Sequence, residues 1–319
     1  MRPLIYARLT RLALWSLAVI VVTGTTVRLT GSGLGCSDWP TCEEDKLIAP
    51  LEYHALIEFG NRIITGLVAA AVIAAVLGSL KRKPRRKDLV VWSFGLVAGV
   101  LGQVLLGALL VRTELDPRFV TGHFLLSMVL LWNAVVLDIK ARRPNNDNTP
   151  DNDSTEVDSR NVGLKIRLLC WSVFTAGAVV LVSGTLVTGS GPHAGDSRAE
   201  RLPLLVREVV RVHSGLAVSL LVMVMVSWVY LRSFQFQFHS GCARKFGNIA
   251  ALLVLQGIVG YTQYFSGLPP LLVGIHVTLA SLIWIEIVRA TNIEVWMFAM
   301  NTISLDTETS TDSASSDAT

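Results

Sequence analysis

Charge is scarce in this chain. Asp, Glu, Lys and Arg make up 16% of its 319 residues, against 51% hydrophobic ones, and the mean hydropathy is +0.52. A water-soluble domain cannot hide that much apolar surface, so the composition excludes one and makes the bilayer the solvent. A nucleotide-binding loop is excluded too. The GxG in LTGSG and VTGSG follows no strand and opens no βαβ unit, so these glycines read as sharp turns at the ends of spans. Nucleic acid is not a partner either, because the cations behind the net charge of +4 gather at the edges of apolar runs.

Eight runs are long enough to cross a bilayer, at about 11–30, 60–80, 89–112, 118–140, 165–188, 205–231, 246–265 and 271–291. The first lacks a small-residue cleavage site and its end is repeated in the second half, so it reads as a retained span rather than a signal peptide. Arg2, Arg8 and Arg11, KRKPRRK, KARR, and Arg232 with Arg244 and Lys245 alternate with loops poorer in Lys and Arg. The first of those poorer loops is acidic, with Asp38, Glu43, Glu44 and Asp45. The positive-inside bias therefore predicts a multi-pass cell-membrane protein with both termini cytoplasmic and the Cys36/Cys42 loop outside. The Asn/Asp-rich stretch 144–163 is expected to be a disordered linker between an N-terminal half (1–143) and a C-terminal half (164–292), with a disordered tail over 293–319.

The halves repeat one another. Gln103, Gly107 and His123 recur as Gln256, Gly260 and His276, each 153 residues later, and TGTTVRLTGSG (23–33) is echoed by SGTLVTGSG (183–191). His123, His213 and His276 share one depth near the outer ends of even-numbered spans. Ionisable residues at such positions mark sites more often than not, the alternative being histidines hydrogen-bonded to backbone carbonyls. Imidazole is the usual axial ligand of haem iron, and helix bundles hold haem between facing helices. His213 and His276 can bracket an iron and leave it no open position, which predicts electron transfer or structure there. Zinc would want a third or fourth ligand, and the C-terminal half offers none that is obvious.

The N-terminal half breaks the pattern. His123 matches His276, but Asn61, a poor iron ligand, stands where His213 stands 152 residues later. One turn earlier is Glu58, whose counterpart is Val210, and His54, Glu58 and Asn61 share a helical face at i, i+4, i+7. A carboxylate that occurs only where the second ligand is missing predicts an open, reactive haem site with Glu58 as proton carrier. The competing reading is an interfacial glutamate paired with Arg62 or another arginine. Arg62, Arg207 and Arg211 lie near the depth suited to haem propionates. Cys36 and Cys42, in GLGCSDWPTC on the oxidising side, are expected to form a disulfide, with or without a redox role.

The GSGLGCSDWPTC loop, HALIEFGNRIITG, TGHFLLSMVLLW, RVHSGLAV and GIHVTLASL occur in the order of the landmarks of the haem A synthase family, which the chain resembles from its first span to its eighth. The resemblance implies an all-α integral membrane protein of eight transmembrane helices, arranged as two four-helix bundles about a pseudo-twofold axis along the membrane normal. It implies haem b as cofactor on His213 and His276, and a substrate haem pocket at His123 and Asn61 beside the helix of Glu58. Cys36 and Cys42 match the family's extracytoplasmic cysteines. The family commonly has histidine where Asn61 stands, so the substrate iron would rest on His123 alone or recruit a ligand such as His54. The implied activity is oxidation of a methyl group of haem O to formyl, giving haem A for cytochrome oxidase, with haem O synthase and an electron acceptor as partners. Two other readings compete: a non-catalytic dihaem cytochrome b, and a haem-binding chaperone or exporter.

Overall fold

The structure, a computed structural model, describes residues 1–39, 41–43, 48–143, 156–233 and 240–292. Among them the chain is helical throughout, with no sheet: α1 Pro3–Leu29, α2 Tyr53–Lys81, α3 Lys87–Arg112, α4 Pro117–Arg142, α5 Glu156–Ser190, α6 Val206–Ser233, α7 Ser240–Phe265 and α8 Pro270–Thr291. Proline opens α1, α4 and α8, where its missing N–H would have no partner in any case. Asp116 caps α4 by accepting from the Arg118 N–H. The Arg118 side chain also donates to it, and together these bonds hold the Asp116 carboxyl below its ordinary range.

All helices but α7 are long and apolar enough to cross a membrane. By length and composition, seven of the eight helices among the described residues are candidate spans; the apolar run of α7 is interrupted by Asn248, Gln256 and Gln263. Large apolar side chains point outward, among them Leu67, Leu105 and Val226. In water such a surface would be unfavourable; in hydrocarbon it is the ordinary exterior. α5 begins at Glu156, inside the stretch read as a linker, while residues 144–155 and 293–319 lie outside the described residues.

α1 packs on α2 and α4, with α3 against α2 and α4; α5 packs on α6 and α8, with α7 against α6 and α8. The two sets meet through α1 with α8, α4 with α8, and α4 with α5. One continuous apolar core runs through both, from Tyr6 and Leu14 to Phe246 and Ile285. At the seam the Trp284 indole N–H donates to the Met128 carbonyl at 2.9 Å, both groups being buried. Asp138, also buried, ties α4 to α1 by accepting from Thr10, and it pairs with Arg142.

Candidate functional site

The repeated residues make repeated bonds. Gln103 Nε2 donates to the His123 carbonyl at 3.0 Å, and Gln256 Nε2 donates to the His276 carbonyl at 3.0 Å. Each glutamine sits on the third helix of its set and fixes the main chain of a histidine on the fourth. Gln103 also donates to Ser127, which itself donates to the His123 carbonyl.

In the C-terminal half the rings of His213 on α6 and His276 on α8 lie with centroids 6.4 Å apart and planes at 66°. Two metal–imidazole bonds of about 2.0 Å, with a ring radius of about 1.1 Å at either end, span roughly 6.3 Å. The pair therefore has the separation of two axial ligands on one metal. Ser183 Oγ is 2.9 Å from His213 Nδ1, which turns that ring so that Nε2 remains for a ligand bond. Nδ1 of His276 is buried without a hydrogen-bond partner. Glycines make room for both rings. A Cβ on Gly184 would come within 3.2 Å of His213 Cε1, and one on Gly260 within 3.1 Å of His276 Cε1. Among the described residues no cluster of three or more His, Cys, Asp or Glu could hold a metal ion.

The N-terminal half uses the same frame differently. Thr23, the counterpart of Ser183 in the echoed segment, donates to Asn61 Oδ1 at 2.8 Å. This bond draws the Asn61 amide towards α1. Nδ1 of His123 is buried without a partner, as in His276. Gly24 and Gly107, the counterparts of Gly184 and Gly260, have nothing within 4 Å of where a Cβ would stand. The two halves thus carry glycine at matching places, pressed against imidazole in one half and facing open space in the other.

Glu58 is buried near the N-terminal end of α2, and its two oxygens are engaged. Oε1 pairs with Arg62 at 2.6 Å and Oε2 accepts the Cys36 N–H at 2.8 Å. Arg62 reaches on to the carbonyls of Asp38 at 2.8 Å and Thr41 at 2.5 Å. Cys36 and Cys42 are joined as a disulfide, both buried against Ala49, Ala55 and Phe59. Glu58 and Arg62 thereby fasten the disulfide loop to the helix that carries Asn61. The arginine partner raised as the competing reading of Glu58 is present, and Arg62 is engaged with the loop rather than standing alone as a propionate partner. His54 stands exposed at the mouth, its Nδ1 2.9 Å from Ser32 Oγ, in a closed pairing outside the pocket. Arg211 pairs with Glu208 at the exposed start of α6. Cys170 is buried within α5, and the side chain of Cys242 lies outside the described residues.

One residue near the sites carries no sequence signal. Arg28, in the last turn of α1, donates through Nε to the His193 carbonyl and through Nη2 to the Thr188 carbonyl, each at 2.7 Å. It crosses from one half to the other. Gly33 N–H does the same, donating to the Gly195 carbonyl at 2.9 Å.

Comparison with known proteins gives the family. The family described as cytochrome oxidase assembly protein (COX15-CtaA) matches residues 7–54 and 48–195, more than half of the chain. A protein named "Heme A synthase" from Geobacillus kaustophilus is 30% identical over 130 residues, 39% of this chain and 40% of that one. One of the same name from Alkalihalophilus pseudofirmus is 31% identical over 124 residues, 39% of this chain and 42% of its own. These matches span about two fifths of the relatives' length. A third, from Halalkalibacterium halodurans, is 25% identical over 267 residues, 81% of this chain and 84% of that one. With eight ordered helices, seven of them able to span a membrane, and a disulfide-bearing first loop, the chain belongs to the cytochrome oxidase assembly protein family.

Proposed function

We propose that the chain is a haem A synthase, oxidising a methyl substituent of haem O to formyl by successive hydroxylations to supply haem A to cytochrome oxidase. The observation that carries this reading is the inequality of two repeat-related sites: a histidine pair with ring centroids 6.4 Å apart in one half, and in the other Asn61, bonded to Thr23, in the place of the second histidine. His213 and His276 would hold haem b, which would supply one-electron transfer there. His123 and Asn61 receive haem O as substrate, with His123 the iron ligand, and the open ground at Gly24 and Gly107 gives that haem freedom to arrive and leave. The two sets of four helices are related by a pseudo-twofold axis along the membrane normal, which the twin Gln–His carbonyl bonds support. The basic loops and both termini face the cytoplasm, and the disulfide loop faces outside.

Glu58 takes a proton from the substrate side. Its carboxylate rests against Arg62 and the Cys36 N–H, so accepting a proton loosens its hold on the disulfide loop. Haem O synthase is the source of the substrate, and a separate acceptor takes the electrons.

The deciding experiment is extraction of haem from the purified protein and its separation by chromatography. A mixture of haems b, O and A supports the enzyme. Haem b alone at two per chain, with no modified haem in the producing cells, would show a dihaem electron carrier instead. Asn61 weighs against that carrier, since an electron wire gains from two closed sites.

A further inference from the structure

We propose that Arg28, a residue of the N-terminal half, is the cation that holds a carboxylate of the haem bound between His213 and His276. The proposal rests on the reading that this histidine pair holds haem. Arg28 is half-buried, yet none of its hydrogen bonds goes to an anion: it donates both to main-chain carbonyls, of Thr188 and His193. No ion pair among the described residues includes Arg28: Asp116 pairs with Arg118, Asp196 with Arg198 and Glu208 with Arg211. A guanidinium removed from water without a counter-ion is unfavourable until a negative group completes it. Nη1 takes no protein partner and is not sealed in the interior, so one edge of the planar fork remains for a ligand.

Its place fits a haem carboxylate. Ser183 touches His213, and Thr188 lies five residues further out on α5, about 7.5 Å along the helix. Arg28, in the last turn of α1, donates to the Thr188 carbonyl itself at 2.7 Å. The guanidinium therefore lies where the outer ends of α1 and α5 approach, above the level of the iron ligands. That is the side to which the carboxylate edge of a macrocycle ligated at His213 and His276 turns when it faces the aqueous boundary.

A pair of cycles separates this role from a plain clasp between the halves. Detergent-purified holoprotein, wild type and R28Q, is challenged with an excess of a haem-scavenging protein, and loss of the low-spin spectrum is timed. The same is done after reloading both with the dimethyl ester of haem b, which has no free carboxylate. R28Q is expected to lose haem b about ten- to a hundredfold faster, the range of a hydrogen bond to a charged group. With the ester the two proteins are expected to agree within about twofold. Should Gln at this position prevent folding, R28K takes its place, since lysine keeps the charge without the fork and shows a smaller gap that must also vanish with the ester. Equal rates for R28Q and wild type with haem b overturn the proposal alone. So does a gap of the same size with the ester, which would make Arg28 a clasp or the site of a lipid or free anion. A wild-type protein that takes up no haem overturns the reading of the histidine pair, and this proposal with it.

Discussion

Adding one methyl group at four repeat-related glycines should affect haem b at two of them only. A Cβ on Gly184 would stand 3.2 Å from His213 Cε1, and one on Gly260 would stand 3.1 Å from His276 Cε1; in both cases the ring must move by a few tenths of an ångström. Neither ring is at liberty to do so. His213 Nδ1 is held by Ser183, and the main chain of His276 is held by Gln256. Overpacking of this kind costs about 1–3 kcal/mol, which is about 5- to 150-fold in affinity for whatever the two rings hold together. Gly24→Ala and Gly107→Ala meet nothing within 4 Å and should leave haem b unchanged. The assay is haem b per protein after purification, followed by its rate of loss to a scavenger. If Gly184→Ala and Gly260→Ala retain haem b as the wild type does, or if the other pair loses it equally, the glycine packing does not shape this site.

Four further outcomes are expected. His213→Ala or His276→Ala abolishes the low-spin haem b spectrum; a double variant with full absorbance would remove the pair as ligands. Glu58→Gln keeps the shape but cannot ionise, so haem b stays, haem O or a hydroxylated product accumulates, and conversion falls about 100-fold. Conversion near the wild-type rate would leave Glu58 only its structural tie to Arg62 and Cys36. Cys36 and Cys42 in protein from an oxidising envelope should resist alkylation until reduced, as mass spectrometry would show; two alkylated thiols without reductant would contradict the disulfide. Asn61→His should offer Thr23 an imidazole to orient and add a second tightly held low-spin haem, and unchanged haem stoichiometry would sink that expectation.

Much of this was legible in the sequence because hydrophobic runs and in-register polar residues are written in residue types. Gln103, Gly107 and His123 recurring as Gln256, Gly260 and His276 announced two related sites, and the structure gives the glutamines matching bonds. Helix ends were less legible. α2 starts at Tyr53, about seven residues before its expected span, because a helix can extend past the apolar run into the interface. The Glu58–Arg62 pair was visible as an i, i+4 spacing, but its further bonds to Cys36, Asp38 and Thr41 were not. Arg28 was invisible for a related reason. Its partners are main-chain carbonyls 160 and 165 residues away, and a carbonyl has no residue type to read.

What distinguishes the two sites is how one hydroxyl is used. On the first helix of each set, at the echoed position, Ser183 and Thr23 face the second helix. Ser183 meets an imidazole through the nitrogen that a metal does not need, and so orients the ligand for bonding through the other. Thr23 donates to the carboxamide oxygen of Asn61, the one atom of that side chain able to donate an electron pair to a metal with any strength, and occupies it. The same scaffold contact therefore prepares a ligand in one half and withholds one in the other. Gly24 and Gly107, the counterparts of the glycines pressed against His213 and His276, have nothing within 4 Å of where a Cβ would stand. On the proposed function, a site that releases its product is better served by that arrangement than by two imidazoles, and the half proposed to keep haem b has the opposite requirement.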